Sequence, residues 1–284
     1  MSLLNIESQV FQKNFPVHPF LIRHALTGHP MFALERLLEL GRALPDEEIE
    51  YNAGDLAVNQ DAKLTPRNGL SVADTIQRIR ECKSWMVMKH VELDTEYRRL
   101  LFDCLEEVRH AGGLAEQGVL QREGFVFLSS PGSVTPFHMD PEHNFLLQIQ
   151  GTKTVYMWDP EDRTVLPETA IERFYGEGTH RNMPFQQEWQ AKALRFDLHP
   201  GDAVYFPPTA PHWVQNGDDV SVSFSITFRS EAGDRRQRVY WVNHRLRSMG
   251  LTPKPFGRVG LIDSAKNLAV QTAGKARRAL KPGN

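Results

Sequence analysis

Beyond Gly124 the sequence becomes a succession of short strand-like segments that are separated by proline and glycine. The clearest of these segments are 125–128, 145–150, 153–158, 194–198, 203–206 and 220–228. Six or more short strands with turn signals between them indicate a barrel or a jelly roll and argue against a parallel α/β sheet. The sequence therefore predicts a mainly β core.

Helical patterns precede this core. Apolar residues recur at helical spacing over 31–44, and Ser71 with Asp74 forms a capping box that opens a second helix to about Cys82. A third helix is predicted behind Asp94, which has the residue type of an N-cap. A long polar insertion over 161–190 could cover one mouth of the barrel, and the tail has helical patterns over 234–249 and 263–280. We therefore expect helices on both sides of the β core.

Composition limits the partners of the whole molecule. The 284 residues are 40% hydrophobic and carry a formal net charge of −2, so no strong overall field attracts nucleic acid or an anionic membrane. The two cysteines form no metal or redox motif, which suggests a reducing compartment. No apolar stretch has the length of a signal peptide core or a membrane span. We therefore predict a cytoplasmic protein without a membrane anchor.

Three side chains have the chemistry and spacing of a metal site. His138 and Asp140 are one residue apart, and in an extended chain side chains two positions apart share a face, so both can point at one ion. The best third ligand is His212, which follows a proline-stiffened segment and precedes another strand-like run. Two imidazoles and one carboxylate, with the remaining positions left to water or substrate, form the facial arrangement of non-haem Fe(II) oxygenases. The sequence predicts an iron site.

His143 is the competing third ligand, because it completes a local His-x-Asp-x-x-His pattern. It lies three residues beyond Asp140 and across a proline, so it more naturally turns away and supports the residues around the site. We therefore favour His212 over His143.

Lys153 is the candidate partner of an anionic ligand. Gln150 to Lys153 fits a tight hairpin with Gly151 at the turn, and in a two-residue loop the flanking residues share a face. Counting back by two along the strand reaches Asn144, so Lys153 is aimed into the same interior. An unpaired ammonium there would cost several kcal/mol, and a bound dicarboxylate would pair with it. The alternative is that the turn places Lys153 on the solvent face.

The last predicted strand, 220–228, has two chemically different faces. Apolar residues alternate along it with Ser221, Ser223, Ser225 and Thr227. A row of hydroxyl groups suits either a cavity for a small polar ligand or a sheet that faces solvent.

These motifs together resemble those of the Jumonji-C hydroxylases. The chain has Thr135-Pro-Phe-His138-Met-Asp140, then Asn144, then a Gln-Gly-Thr-Lys153 turn, then Pro-Thr-Ala-Pro-His212-Trp. The similarity covers about 125–228 and is greatest to members like the asparaginyl hydroxylase that inhibits hypoxia-inducible factor, and to bacterial cupin-like Jumonji proteins. It implies a double-stranded β-helix (a jelly roll or cupin core) within a single domain, 1–284, with a helical N-terminal region over 1–112, a core over 113–230 and a helical tail over 231–284.

The resemblance also implies the cofactors and the residues that hold them. Fe(II) would be held by the catalytic residues His138, Asp140 and His212, and 2-oxoglutarate would chelate the iron through its keto-acid end. Its distal carboxylate would meet Lys153 and the hydroxyl of Thr135. Further cosubstrate contacts are implied at Asn144, Phe127 and Ser225, where Ser225 stands in place of the family's second asparagine.

The implied activity is that of a dioxygenase. With O2 it would hydroxylate a C–H bond of a protein side chain or a small molecule and release succinate and CO2. The alternative is a non-catalytic metal-binding cupin that acts as a transcriptional regulator or a metabolite-binding module. Two basic runs could contact nucleic acid phosphates in that case, although such runs are more often solvated helix faces. The runs are Arg235, Arg236, Arg238, Arg245 and Arg247, and Lys275, Arg277, Arg278 and Lys281. The tail also permits a homodimer through Trp241, Leu246 and Leu251.

Overall fold

The computed structural model describes residues 2–111, 118–178 and 182–279 of the chain. The chain divides into two compact units. The β unit comprises Met1–Pro160 and Asn182–Ser230, and the helical unit comprises Glu161–Arg181 and Glu231–Asn284. The assignment of all 284 residues to a single domain stays a prediction.

The β unit contains two antiparallel sheets. Its strands in chain order are β1 Leu4–Asn5, β2 Leu21–His24, β3 Ile49–Ala53, β4 Ser84–Met88, β5 Val119–Ser129, β6 Val134–His138, β7 His143–Gln150, β8 Lys153–Met157, β9 Leu194–Leu198, β10 Asp202–Phe206, β11 His212–Asn216 and β12 Ser221–Ser230. The larger sheet has the order β1-β2-β10-β7-β12-β5-β4-β3, and the smaller sheet has the order β6-β11-β8-β9. This arrangement confirms the predicted jelly-roll core with flanking helices.

β12 explains how the two faces of the larger sheet differ. Its apolar residues pack in the main hydrophobic core, together with helical residues such as Leu37 and Leu101. Its serine and threonine side chains are buried on the opposite face, so the solvent-facing alternative is wrong. Ser225 is directly opposite Leu146 of β7, and Leu146 packs with Val155 of the smaller sheet. The hydroxyl groups therefore line the interior between the two sheets.

Four helices belong to the β unit: α1 Ser8–Asn14, α2 Leu34–Ala43, α3 Val72–Gln77 and α4 Thr95–His110. Both predicted caps are present. The Ser71 side chain accepts a hydrogen bond from the Asp74 amide, and Asp94 accepts from the amides of Glu96 and Tyr97. The helix predicted to begin at Ser71 is α3, and it ends at Gln77, earlier than the predicted end at Cys82. Most of the buried apolar residues of these helices pack on the outer face of the larger sheet.

The predicted hairpin at Gly151 is wrong, because β7 and β8 belong to different sheets. The chain crosses from the larger to the smaller sheet here, with Gly151 at a φ of 69°. Lys153 is directly opposite Asn216 of β11 and Leu198 of β9, not Gln150. Its side chain nevertheless lies in the interior, since the chain enters the smaller sheet with Lys153, Val155 and Met157 on the inner face.

The helical unit contains α5 Glu168–Glu177, α6 Glu231–Ser248 and α7 Gly260–Ala279. Glu172 of α5 is buried and accepts hydrogen bonds from Arg247 of α6 at 2.6 and 3.1 Å. Arg235 and Arg238 donate to Ser264 and Asn267 of α7. Arg236 donates to Glu161 at 3.4 Å, so four arginines of the first basic run are used in contacts within the unit. The side chains of Arg277, Arg278 and Lys281, from the second run, lie outside the described residues.

The insertion over 161–190 and the homodimer are the subjects of two further predictions. The insertion over 161–190 is largely ordered, because it contains α5 and the start of a 3-10 helix, Gln187–Lys192. Its predicted role as a cover and the predicted homodimer stay predictions. Among the helices of the described ranges, none combines the length and the apolar character that crossing a bilayer requires.

Candidate active site

The two histidines of the predicted metal site are directly opposite each other on neighbouring strands. His138 is the last residue of β6 and His212 is the first residue of β11, and their backbones pair in the antiparallel register. Their ring centroids are 4.0 Å apart. Directly opposite residues on antiparallel strands share one face of the sheet. Sheet pairing thus brings together two side chains that are 74 positions apart in sequence.

The hydrogen bonds of both rings determine which nitrogen can bind a metal. Nδ1 of His138 lies 2.7 Å from the carbonyl oxygen of Pro136, and Nδ1 of His212 lies 2.9 Å from that of Ala210. A carbonyl oxygen only accepts, so both Nδ1 atoms must donate, and the lone pair of each neutral ring is then on Nε2. Such a bond to the second ring nitrogen is the usual support of a histidine that binds a metal.

Asp140 completes the cluster from the loop after β6. Its Oδ2 lies 3.9 Å from Nε2 of His138 and 3.8 Å from Nε2 of His212. The three side chains are 5 to 15% exposed. The amide of Thr209 donates to the Asp140 carbonyl at 2.7 Å, which ties the Asp140 loop to the segment before β11. The three candidate ligand atoms all lie within 4.8 Å of one another, so one divalent ion could contact all three.

His143 points to the other side of β7. Its Nδ1 is 2.7 Å from the hydroxyl of Tyr205, its Nε2 is 3.2 Å from that of Ser230, and its ring stacks on Phe228 at 4.8 Å. Burial lowers its pKa to about 4, which keeps the ring neutral. With both nitrogens engaged in this network, His143 is not a member of the metal cluster. The preference for His212 agrees with this geometry.

Lys153 lies deeper in the same interior. His212, Val214 and Asn216 alternate on the inner face of β11, and Asn216 is opposite Lys153 while His212 is opposite Met157. Four residues of strand therefore separate the two levels, or about 13 Å. Lys153 is buried and makes no hydrogen bond or ion pair with any residue in the described ranges of the chain. Burial lowers its pKa to about 7.

Several buried polar atoms of the β unit have no hydrogen-bond partner among the described residues. They are Oδ1 of Asn144, Oγ of Ser225, Oδ1 of Asn216 and Oγ1 of Thr209. Buried polar atoms in native proteins are nearly always hydrogen-bonded, so such a group of exceptions needs a ligand or water. A polar molecule with an anionic end toward Lys153 would satisfy these atoms. The residues present therefore fit a dicarboxylate that reaches from the metal cluster to Lys153.

The remaining predicted contacts also face this interior. Thr135 is opposite Val214 of β11, and Phe127 is opposite Ser223 of β12 and packs against the inner apolar cluster. The side chain of Gln148 is also buried, and it is hydrogen-bonded to the hydroxyl groups of Ser221 and Ser223. The structure thus brings together every side chain that the sequence proposed for the site. Their roles as ligands stay predictions.

Comparison with known proteins places the chain in a family. A family model described as a cupin-like domain matches residues 18–234. The chain belongs to this cupin-like family. The match runs from before β2 to beyond β12, and it confirms the predicted kinship with cupin-like Jumonji proteins.

Two of the relatives of this cupin-like chain have Jumonji-C names, and a third is named as a demethylase. It is 32% identical over 108 residues to JmjC domain-containing protein D of Dictyostelium discoideum, which is 35% of this chain and 23% of that protein. It is 28% identical over 123 residues to Jumonji C domain-containing protein 5 of Drosophila melanogaster, 36% and 26% of the two chains. It is 29% identical over 102 residues to lysine-specific demethylase 8 of Danio rerio, 34% and 24% of the two chains. The matches span about a quarter of each relative.

Solved structures show the same fold. Escherichia coli ycfD superposes with a TM-score of 0.55 at 16% identity, covering 90% of this chain and 62% of that chain. A second structure, of YcfD described as a ribosomal oxygenase in complex with cobalt and 2-oxoglutarate, gives 0.51 at 15% identity, covering 91% and 61%. At this level of identity the likeness establishes the double-stranded β-helix and nothing about the substrate.

Sequence reasoning missed two residues of the site, Thr209 and Asn216. Thr209 has a φ of 64°, which is rare for a β-branched residue, and its amide holds the Asp140 loop. Asn216 follows His212 by four residues, so strand alternation alone would have placed it on the same face. The sequence does not tell which of several polar residues remains without a partner.

Proposed function

We propose that this protein is an Fe(II)- and 2-oxoglutarate-dependent dioxygenase that hydroxylates a C–H bond. One observation carries the proposal: a single interior holds a two-histidine, one-carboxylate cluster at one level and a buried lysine about 13 Å deeper along the strands. No residue in the described ranges offers this lysine an anion. That donor set, with its remaining positions open, suits Fe(II) in oxygenases. The complex of YcfD with cobalt and 2-oxoglutarate is a precedent in the same fold.

In this proposal His138, Asp140 and His212 hold the metal. Bound iron supplies the redox chemistry, in which O2 and 2-oxoglutarate give succinate and CO2 while the second oxygen atom enters the substrate C–H bond. The carbonyl groups of Pro136 and Ala210 keep both rings in the tautomer that offers Nε2. No acid–base side chain is required, so the protein mainly binds, orients and excludes water.

The inner residues would fix the position of the cosubstrate. Lys153 pairs with the distal carboxylate, and the Thr135 hydroxyl donates to the same group. Asn144 and Ser225 offer polar atoms along the middle of the molecule, and Phe127 forms a wall. Charge-assisted hydrogen bonds of this kind contribute about 1.5–3 kcal/mol each. Contacts at both ends of the cosubstrate would hold its keto-acid end at the metal.

The substrate class that we propose is a protein side chain. Two related proteins support it by name, since one is called a ribosomal oxygenase and another a lysine-specific demethylase. Hydroxylation at a carbon is our preferred reaction, and a small molecule is the other substrate class. Mass spectrometry of a lysate treated with the iron-loaded protein should detect proteins that gain one oxygen atom only when 2-oxoglutarate is present.

Succinate formation tests the activity itself. Protein loaded with Fe(II) under anaerobic conditions should form succinate and CO2 in equal amounts from 2-oxoglutarate once air is admitted. The Asp140→Ala variant should form neither. If the wild type binds the metal but forms no succinate with or without lysate, the protein is a metal-binding module and not an oxygenase. Steeply salt-dependent retention on DNA would then favour the regulator.

A further inference from the structure

Asn216 stands beside Lys153 in a way that the cosubstrate contacts described so far do not use. The two residues are directly opposite each other on β11 and β8, and both are buried on the inner face of the smaller sheet. Side chains in such a pair have Cβ atoms about 5 Å apart. Both residues also line one cleft of about 400 Å³ at this end of the sheet. Asn216 and Lys153 therefore border the same space.

The orientation of the Asn216 amide is fixed by Ser133. The Ser133 carbonyl accepts from the Asn216 backbone amide at 2.9 Å and from its side-chain Nδ2 at 3.2 Å. Since a carbonyl only accepts, Nδ2 must be the atom on that side. Oδ1 then points the other way, where it is buried without a partner among the described residues. The chain thus presents an oriented acceptor next to an amine that has no acceptor in the described part of the chain.

Building on the proposed function, we infer that Asn216 is a positioning residue for Lys153, whose ammonium donates one hydrogen bond to Asn216 Oδ1 and the others to the cosubstrate carboxylate. An ammonium has three N–H donors, which point in different directions. A carboxylate on one side of the amine therefore cannot accept from all three. The contact with Asn216 aims the amine along the interior and keeps it from leaving toward the cleft.

The neutral amide has an advantage over a carboxylate at this position. An aspartate would cancel the charge of Lys153 and repel an incoming dicarboxylate, whereas the amide oxygen accepts a hydrogen bond without either effect. No other group described around Lys153 replaces the Asn216 amide as an acceptor. The inner faces next to it present Leu198 on β9, Gln148 on β7 and Ser223 on β12, and Gln148 and Ser223 bond each other. Asp197 lines the cleft but is held by Thr154 and Arg195, and His199 there is exposed.

Two variants that keep the branching of the asparagine side chain test the inference. Asn216→Leu removes the acceptor, and Asn216→Asp replaces it with a charged one. Both lose the side-chain bond to the Ser133 carbonyl and keep the backbone bond to it, so the direction of the pH shift, and not the size of the loss, distinguishes their effects on Lys153. The matched control is Gln215→Leu, the next residue of β11, which faces outward and bonds to the Gly132 carbonyl. The readouts are Kd for 2-oxoglutarate on Mn²⁺-loaded protein by calorimetry, and KM and kcat by succinate formation.

We expect Asn216→Leu to raise Kd and KM about tenfold with kcat at saturation nearly unchanged, which is the effect of one lost hydrogen bond to a charged group. Asn216→Asp should raise both constants more. The pH above which Kd rises should move down in Asn216→Leu and up in Asn216→Asp, because only the latter stabilises the protonated amine. A general loss of structure would not produce opposite shifts.

Three results would overturn the inference. They are unchanged Kd and KM in Asn216→Leu, pH profiles that move in the same direction in both variants, and a loss in Gln215→Leu as large as that in Asn216→Leu. Calorimetry keeps the inference separate from the activity. If the wild type binds 2-oxoglutarate but forms no succinate, the proposed oxygenase fails while the role of Asn216 is still measured. If the wild type does not bind 2-oxoglutarate, the inference fails as well.

Discussion

Nδ1 of His138 and Nδ1 of His212 are hydrogen-bonded to backbone carbonyl groups two residues before each ring, at Pro136 and Ala210. The two histidines thus have the same local support although one ends a strand and the other begins one. Each strand end fixes its ring from its own backbone, and the pairing of β6 with β11 brings the rings together. Both rings are therefore oriented by their own backbone segments.

Replacement of His212 by alanine should weaken metal binding more than about 100-fold, because even the outer partners of metal ligands contribute about 10–100-fold. The comparison variant is His143→Gln, since the wild-type ring bonds to Tyr205 and Ser230 on the other side of β7. Calorimetry with Mn²⁺ measures both affinities. Equal losses in the two variants would contradict the assignment of the third ligand.

Replacement of Lys153 by methionine should raise the KM for 2-oxoglutarate about 10–100-fold, because one charge-assisted contact is lost while the buried apolar stem is kept. kcat at saturating cosubstrate should change little. Lys63→Met, at an exposed position of the β unit, serves as the control. An unchanged KM in Lys153→Met would place the lysine outside the cosubstrate site.

The affinity for 2-oxoglutarate should depend on pH through Lys153. Burial lowers the pKa of this amine to about 7 in the protein without cosubstrate, and a bound carboxylate favours the charged form. The affinity should thus be constant below about pH 7 and fall by up to about tenfold per pH unit above it. Calorimetry from pH 6 to 9 checks this, with Lys153→Met as the reference that should lack this dependence. A flat wild-type profile would count against the lysine.

Acid should destabilise the fold through His143. Its pKa is lowered from 6.5 to about 4, so between these values the unfolded chain binds a proton that the folded protein excludes. The stabilising effect is complete above about pH 6.5 and is lost as the pH falls toward 4, by up to about 3 kcal/mol. Urea unfolding at pH 7.5 and pH 5 should therefore show a larger drop in the wild type than in His143→Gln. Equal drops would mean that the ring is not kept neutral.

The crossover at Gly151 should tolerate no side chain. Its φ of 69° costs about 1–3 kcal/mol for other residues, and an added Cβ would lie 2.4 Å from the Val220 carbonyl oxygen. Gly132 has a φ of 70° with no atom within 4 Å of such a Cβ, so Gly132→Ala carries only the conformational cost. Denaturant unfolding should show a larger loss of stability in Gly151→Ala than in Gly132→Ala. Equal losses of stability would mean that Gly151 does not lie in close contact with the Val220 backbone.

The sequence predicted those features of the site that depend on local periodicity. Alternation alone places His138 with Asp140, and separates the hydroxyl row of β12 from its apolar row. The same rule failed at Gly151, because a two-residue connection between two strands is compatible both with a hairpin and with a change of sheet. Which one forms depends on the partners that β8 finds in β9 and β11, and the nearest of these pairs, Met157 with Leu194, is 37 residues apart along the chain.

The unpartnered atoms could not be predicted either. Asn216 and Gln148 are both amides on inner faces, yet the Gln148 side chain is satisfied by Ser221 and Ser223 while Asn216 Oδ1 is not. This difference arises from the register between β7 and β12 and from the Ser133 carbonyl. Neither has a local signal in the sequence.

The most direct test of the two-ended site is an anaerobic titration of the Fe(II)-loaded protein with 2-oxoglutarate, followed by visible absorption. Chelation of iron by a keto acid gives a charge-transfer band, so the wild type should develop this band and saturate at one equivalent. Lys153→Met should reach the same band only at higher concentration, and His212→Ala should not develop it. No band in the wild type, or one that persists in His212→Ala, would contradict the account.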